Sequence, residues 1–259
     1  MSGYFDIHCH ILPGVDDGSK DMDTSLAMLK KEYKDGIRNM ILTPHFRYRM
    51  FETSKSNLEE RFRELQARAQ EILPDLKLYL GCELHVSTDL VEKLLQGRRL
   101  TMAGSHYVLA EFSGGDEKNM IREQIRSLVQ SGYTPIIAHA ERIHAVHENL
   151  DFADELRQSG ALLQVNANTI SGLDGFREKH FAKKMISYDL IDFVGSDAHG
   201  IKERAPEMEK CIHKLQKAMG DRYVDYLLFQ NPMKIIEAAG RRPVQEPDTD
   251  TDQGAIGPE

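Results

Sequence analysis

The stretch Tyr4-Phe5-Asp6-Ile7-His8-Cys9-His10-Ile11-Leu12-Pro13-Gly14-Val15-Asp16-Asp17-Gly18 begins as a short apolar run and passes into two histidines spaced by one residue. Residues i and i+2 of a strand share a face, so His8 and His10 can bind one cation together. The stretch therefore predicts a buried strand whose carboxyl end carries metal ligands.

Similar apolar runs recur along the chain roughly every 30 residues, which is the length of a βα unit. The stretches between them have helical spacing, as in Leu58, Phe62 and Leu65, and Gly36 and Gly132 stand where helices would end. Seven alternations predict a closed or nearly closed parallel barrel, with a doubly wound open sheet as the alternative. The runs are Tyr4–Ile7, Asn39–Leu42, Leu76–Leu80, Tyr107–Ala110, Pro135–Ala138, Leu162–Val165 and Ile191–Val194.

Composition restricts the class of protein. The 259 residues are 41% hydrophobic and carry a formal net charge of -8, with no basic stripe of the kind that binds nucleic acid. No apolar stretch reaches the length of a membrane span, and Met1 to Ile7 do not resemble a signal peptide. Three unpaired cysteines fit a reducing cytosol, so we expect a cytoplasmic protein.

The chain divides into one predicted domain, residues 1–240, and a short tail. After Arg241-Arg242-Pro243, the run Glu246-Pro247-Asp248-Thr249-Asp250-Thr251-Asp252 has no apolar residue. Such a composition cannot bury a core, so residues 241–259 are predicted to be an acidic disordered tail.

Ligand-type side chains follow six of the seven predicted strands. Because the carboxyl ends of parallel barrel strands form one face, these side chains should meet at one mouth. They are His8, His10, His45, Glu83, Glu111, His139, Asp197 and His199. Imidazole and carboxylate without thiolate suit zinc, manganese or iron, and the number of ligands predicts two or three ions with bridging carboxylates.

Cysteine-based phosphatase chemistry needs an arginine six residues after the nucleophile. Val15, Thr88 and Lys217 occupy that position after Cys9, Cys82 and Cys211. A metal-assisted hydrolysis, in which clustered ions activate water, is the better interpretation.

The motifs resemble those of the polymerase and histidinol phosphatase family, in the branch of bacterial manganese-dependent protein-tyrosine phosphatases that control capsule and exopolysaccharide synthesis. The first motif spans residues 8–18, and the resemblance extends from about Phe5 to Gly240. Later motifs follow in order as Thr43-Pro44-His45, Gly81-Cys82-Glu83, His139-Ala140-Glu141-Arg142 and Ser196-Asp197-Ala198-His199.

This resemblance implies a distorted (β/α)7 TIM-like barrel, a single domain that binds three ions. It assigns the first ion to His8, His10, Glu83 and Asp197, the second to Glu83, Glu111 and His139, and the third to Asp17, His45 and His199. Asp17 rather than Asp16 is taken from the family pattern. The resemblance also implies that Arg142 and Arg204 bind the substrate phosphate, and we treat them as catalytic residues together with Asp197 and His199.

The implied substrate is a tyrosine-phosphorylated protein, with a bacterial tyrosine kinase as the expected partner. Ala140 and Ile143 depart from the family pattern, which affects the expected substrate contacts rather than the ligands. Alternatives on the same barrel are a small-molecule phosphatase such as histidinol-phosphate phosphatase, an amidohydrolase or deaminase, and a non-catalytic metal-binding regulatory module. The sequence does not indicate an oligomeric state.

Overall fold

Short strands alternate with helices along the described chain, which is residues 3–239 of a computed structural model. The strands are β1 Tyr4–Cys9, β2 Ile37–Leu42, β3 His45–Phe46, β4 Lys77–Leu80, β5 Glu83–His85, β6 Tyr107–Glu111, β7 Thr134–Ile137, β8 Leu162–Asn166 and β9 Phe193–Gly195. The α-helices are α1 Met22–Lys34, α2 Lys55–Ile72, α3 Leu90–Leu95, α4 Lys118–Gln130, α5 His144–Glu148, α6 Leu150–Gln158, α7 Ala167–Ser171, α8 Phe176–Ser187, α9 Met208–Met219, α10 Asp221–Asp225 and α11 Asn231–Ala238. The predicted tail, residues 241–259, lies outside this range.

All pairings between these strands are parallel, as predicted. The order is β1-β2-β4 in one sheet and β3-β5-β6-β7-β8-β9 in the other. The sequence did not predict β3 and β5, which continue β2 and β4 after the interruptions at Pro44 and at Gly81–Cys82. The two sheets stay joined there, because Gly81 N donates to Leu42 O at 2.8 Å and Glu83 N donates to Pro44 O at 3.1 Å.

The first and last strands also meet. Cys9 forms a parallel bridge with Ala198, just beyond β9. Asp197 N donates to His8 O at 2.8 Å, and His10 N donates to Ala198 O at 2.9 Å. The result is a curved parallel sheet whose carboxyl strand ends lie together.

Hydrophobic side chains are buried on both faces of the strands. Leu109 belongs to a smaller apolar cluster, whereas its neighbours Val108 and Ala110 belong to the main core. Phe5, near the start of β1, packs against Phe229 with ring centroids 6.1 Å apart. The C-terminal helical segment therefore covers the amino end of β1, opposite the end that carries the histidines.

Local sequence signals explain several helix boundaries. Asp21 accepts a hydrogen bond from Thr24 N at 2.8 Å and caps α1, and Ser54 caps α2 in the same way. Gly36 and Gly132 have φ of 96° and 80°, so the predicted left-handed glycines after the helices are confirmed. Among residues 3–239, none of the helices combines the length and the apolar character needed to cross a bilayer.

A buried acidic pair lies beside β1. Asp6 and Glu32 are both fully buried. Asp6 accepts hydrogen bonds from His8 N at 3.2 Å and from the Ser196 hydroxyl at 2.6 Å. Both oxygens of Glu32 lack a hydrogen-bond partner within residues 3–239. Burial, and then the neighbouring Asp6 carboxylate, raise the pKa of Glu32 well above its ordinary value, so this side chain is neutral in the folded protein.

Replacing this carboxyl should change how stability depends on pH. An unfolded chain ionises Glu32 above pH of about 4.3, whereas the folded chain keeps it protonated, so the wild type loses stability as pH rises from there toward the raised pKa. Glu32→Gln removes this loss. We expect its free energy of unfolding, relative to wild type, to rise by at least about 1 kcal/mol between pH 5 and pH 7.5.

Chemical denaturation at the two pH values, in the presence of a chelator, measures this difference. The exposed substitution Glu64→Gln on α2 is the matched control and should follow the wild type. Parallel pH profiles for Glu32→Gln and wild type would contradict the neutral assignment.

Candidate metal centre

The first motif places two imidazoles side by side at the carboxyl end of β1. The Nε2 atoms of His8 and His10 are 3.2 Å apart, and both rings are fully buried. His8 Nδ1 faces the Gln164 Oε1 acceptor at 3.0 Å, and His10 Nδ1 faces the Asp16 carboxylate at 2.8 Å. Each Nδ1 therefore carries a proton, and both Nε2 atoms face the same point.

The two adjacent aspartates of this motif have different environments. Asp16 Oδ2 accepts from His10 Nδ1 and from His45 N at 2.9 Å, while Oδ1 accepts from Gly18 N at 3.0 Å. Burial disfavours its charge, but His10 and these hydrogen bonds outweigh burial and lower its pKa to about 2. The half-exposed Asp17 instead points Oδ1 toward His45 Nε2 at 3.6 Å and His199 Nε2 at 3.5 Å. The geometry thus distinguishes an aspartate that orients a ring from one that faces the cluster.

Glu83 is the central carboxylate. It begins β5, directly after the Gly81–Cys82 interruption, and is fully buried. Its Oε2 lies 3.2 Å from the Nε2 atoms of both His8 and His10 and 2.9 Å from His45 Nδ1. Its Oε1 accepts from His139 Nε2 at 2.9 Å. Burial opposes ionisation, yet His8 and the other histidines lower the pKa of Glu83 well below its ordinary value.

Asp197 connects this cluster to two arginines. Its Oδ1 lies 3.7 Å from His8 Nε2 and accepts from Arg204 Nη2 at 3.1 Å. Its Oδ2 accepts from Arg142 Nη1 at 3.0 Å and from Asn166 Nδ2 at 2.8 Å. Despite burial, the surrounding histidines and Arg142 lower the pKa of Asp197, so it is ionised.

Several polar atoms at the centre are buried without a hydrogen-bond partner in the described chain. Among them are His45 Nδ1, Glu83 Oε2, Glu111 Oε2 and His199 Nε2. The first three belong to side chains whose ligand-type atoms lie within 4.8 Å of one another. Two further groups meet the same limit: His8, His10 and Asp197, and His10, Asp17, His45 and His199. Buried lone pairs aimed at a common point are costly unless a cation binds there, so these residues fit divalent metal ions.

Protons compete with metal for this donor set. Burial opposes a charge on His10, but Asp16 and Glu83 outweigh it and raise its pKa to about 10. Conversely, burial and the nearby His10 lower the pKa of His199 to about 3. A metal ion that binds here must therefore displace a proton from His10, whereas His199 already offers a lone pair.

The structure brings together all nine candidate ligands and both candidate phosphate-binding arginines. Glu111 lies at the end of β6, with Oε2 3.9 Å from His45 Nδ1. His45 is close to two groups at once, since its Nδ1 faces Glu83 and Glu111 while its Nε2 faces Asp17. The centre opens into a cleft of about 500 Å³ whose lining includes His45, Glu111, His139, Arg142, Asp197 and Arg204.

Sequence reasoning missed the residues that hold the ligands in place. Gln164 Oε1 accepts both from His8 Nδ1 and from His139 N, the latter at 2.8 Å. Glu141 Oε1 accepts from Asn166 N at 3.0 Å and from the Thr169 hydroxyl at 2.9 Å. A signal was present, because Gln164 interrupts the apolar run Leu162–Val165 and a buried amide needs partners. Such outer groups fix ring orientation in metal sites.

The chain is similar in sequence to proteins named tyrosine-protein phosphatases. The chain is 35% identical over 236 residues to the tyrosine-protein phosphatase CpsB of Streptococcus pneumoniae, covering 89% of this chain and 97% of that protein. It is 31% identical over 228 residues to the tyrosine-protein phosphatase YwqE of Bacillus subtilis, covering 87% and 89% of the two chains.

Solved structures show the same fold. A crystal structure from work on YwqE and CpsB, described as metal-dependent tyrosine phosphatases, superposes with a TM-score of 0.80 at 29% identity, covering 90% of this chain and 91% of that one. The phosphotriesterase from Mycobacterium tuberculosis superposes with a TM-score of 0.58 at 12% identity, covering 92% of this chain and 94% of that one, which shows a shared fold alone.

The matching family model, described as "Capsular polysaccharide synthesis, CpsB/CapC", spans residues 4–237 and so includes every residue of the centre. The chain belongs to the CpsB/CapC family.

Proposed function

We propose that this chain is a metal-dependent tyrosine-protein phosphatase. The observation that carries the proposal is the convergence of nine imidazole and carboxylate side chains, five of which line a cleft together with two arginines. Metal ligands and phosphate-binding groups in one site are the combination that phosphoester hydrolysis needs. The names of the similar proteins from Streptococcus pneumoniae and Bacillus subtilis support the tyrosine phosphatase assignment.

We assign two or three divalent ions to the centre, with manganese as the expected metal. His8, His10, Glu83 and Asp197 would hold the first, Glu83, Glu111 and His139 the second, and Asp17, His45 and His199 the third. His45 contacts Glu83 of the second group through Nδ1 and Asp17 of the third through Nε2, so it would connect these two groups. When bound, such ions polarise phosphoryl oxygens and lower the pKa of water.

Arg142 and Arg204 would bind the phosphoryl group. Both guanidinium groups contact Asp197, so their heads are held beside the metal ligands. Each remains partly exposed, with 42% and 44% of its side chain accessible, and each lines the cleft. A guanidinium fork matches phosphate oxygens and stabilises the charge that develops on them during transfer.

The cleft also suits a phenolate leaving group with its aromatic ring. Phe51 and the exposed Met50 contribute apolar surface to its lining. The phenol of tyrosine has a pKa of about 10, so its phenolate can leave with less proton donation than a serine alkoxide needs. No covalent enzyme intermediate is needed, and the three buried cysteines have raised thiol pKa values that make them poor nucleophiles.

We further propose that the two sheets form one distorted (β/α)7 barrel. Counting β2 with β3 and β4 with β5 as interrupted strands gives seven, and the Cys9–Ala198 bridge supports closure between the first and the last. We expect a cytoplasmic enzyme whose substrate is a tyrosine-phosphorylated protein, with a bacterial tyrosine kinase in capsule or exopolysaccharide synthesis as the proposed partner.

Removing metal should abolish activity. Treatment with a chelator followed by desalting should lower hydrolysis of a phosphotyrosyl peptide more than 100-fold, and Mn²⁺ should restore it, because no residue substitutes for the ions.

Elemental analysis should find two or three ions per chain, fewer in His199→Ala, and an unchanged number in the exposed control His213→Ala. Activity within twofold of the starting value after complete metal removal would reject the mechanism, and a higher kcat/KM for histidinol phosphate would reject the substrate class.

The arginine pair gives a second test. Arg142→Ala and Arg204→Ala should each lower kcat/KM on the order of 100-fold, the usual loss when one donor to a developing oxyanion is removed. Lysine at either position should restore part of it, since it keeps the charge but loses the fork. Steady-state kinetics with p-nitrophenyl phosphate measure the effect, with the exposed Arg126→Ala on α4 as control. If kcat/KM of both alanine variants stays within threefold of wild type, neither arginine binds the phosphoryl group as proposed.

Substitutions of the two adjacent aspartates should affect metal binding differently. Asp17→Asn should reduce the number of bound ions, because its carboxylate faces His45 and His199. Asp16→Asn should keep that number but weaken binding about 10- to 100-fold, because Asp16 orients His10. Metal titration followed by elemental analysis distinguishes the two results. The reverse pattern, with an ion lost only in Asp16→Asn, would show that the assignment is wrong.

A further inference from the structure

A small hairpin rises beside the cleft directly after β3. Arg47 N donates to Phe51 O at 2.9 Å, and Phe51 N donates back to Arg47 O at 2.8 Å. Between them the backbone turns through Arg49, whose φ of 63° is in the left-handed region. Arg49 N also donates to the Glu52 carboxylate. These bonds give the segment Arg47–Phe51, which we term the rim hairpin, a defined shape.

The rim hairpin is anchored to the metal centre. The Phe51 ring stacks on His45, with centroids 5.4 Å apart and planes inclined by 11°. Two residues later, the Thr53 hydroxyl donates to Val15 O at 3.0 Å, in the loop that carries Asp16 and Asp17. The position of the hairpin relative to the candidate ligands is therefore fixed by packing on both sides.

Arg47 of this hairpin differs from the other arginines of the cleft in having no anionic partner. It lines the same cleft as Arg142 and Arg204 and is partly buried. Those two arginines both contact Asp197, whereas the Arg47 guanidinium forms no ion pair or hydrogen bond within the described chain. A partly desolvated guanidinium without an anion is unfavourable unless a ligand supplies one.

The tip of the hairpin is equally open to contact. Tyr48 and Met50 are 64% and 61% exposed, which is high for large apolar side chains. The Arg49 guanidinium lies over the Tyr48 ring, 5.2 Å from its centroid. Cationic and aromatic groups beside one mouth are typical of surfaces that bind a polypeptide.

Resting on the proposed function, we propose that Arg47 selects substrates by binding an anionic group that neighbours the phosphotyrosine in the substrate chain. The anion is a carboxylate or a second phosphate, since a guanidinium matches either. Arg47 follows His45 by two residues, so its Cα lies about 6–7 Å farther along the strand direction. That offset suits a flanking group better than the transferred phosphoryl group, which Arg142 and Arg204 already serve.

The test compares three phosphotyrosyl peptides that differ only in the flanking residues, which are glutamate, phosphoserine or glutamine. We expect wild type with Mn²⁺ to hydrolyse at least one anionic peptide about fivefold better in kcat/KM than the glutamine peptide, the size of one exposed charge pair. The better anionic peptide identifies the source of the anion. Arg47→Gln should bring the ratio to about one, and Arg68→Gln, an exposed arginine on α2, should preserve it. Higher salt should reduce the ratio in wild type and in Arg68→Gln, and should leave that of Arg47→Gln near one.

Hydrolysis of p-nitrophenyl phosphate separates the possible failures. An equal loss on this small substrate and on the anionic peptide in Arg47→Gln would place Arg47 on the phosphoryl group and overturn the inference. Equal rates for all three peptides in wild type, or an unchanged ratio in Arg47→Gln, would also overturn it while leaving the phosphatase assignment intact. A wild type that hydrolyses none of these phosphate esters would overturn the proposed function itself.

Discussion

The centre depends on one buried negative charge, the carboxylate of Glu83. A fully buried carboxylate is stable only when cations or donors surround it, and here it lies within 3.2 Å of nitrogen atoms from His8, His10, His45 and His139. These histidines come from three different places in the sheet: His8 and His10 from the end of β1, His45 from the β2–β3 junction and His139 from the end of β7. The curvature of the sheet and the assembly of the site therefore depend on each other, because the strands must converge for the histidines to compensate the charge of Glu83.

Orientation of the rings is the second requirement, and outer residues meet it. Gln164, Asp16 and the Asp197 carbonyl each accept from a ring nitrogen of His8, His10 or His199, at 3.0, 2.8 and 2.9 Å. In each case the other ring nitrogen faces the interior of the cluster. The protein thus fixes which nitrogen offers a lone pair, which converts a group of histidines into a set of ligands.

The sequence predicted the parallel α/β architecture and the convergence of the ligands, because both follow from strand ends with a regular period. It did not predict β3 or β5, since two- and three-residue strands have too little periodicity to recognise. The roles of Asp16 and Gln164 were also hidden, because they depend on partners 6 and 156 residues away from them in the chain. The buried Glu32 was missed for a similar reason, as its position in the α1 sequence looks like that of an ordinary surface residue.

The backbone of the centre is conformationally strained. Six non-glycine residues of the described chain have positive φ, and three of them, His139, Asp197 and Arg204, belong to the centre. Such conformations cost on the order of 1–3 kcal/mol each and persist only where surrounding contacts over-determine them. At Asp197 those contacts include two arginines and Asn166, all on one carboxylate. The same bonds that hold the strained turn therefore hold the arginines at the metal ligands, so that strain, ligand position and phosphate binding are coupled through a single side chain.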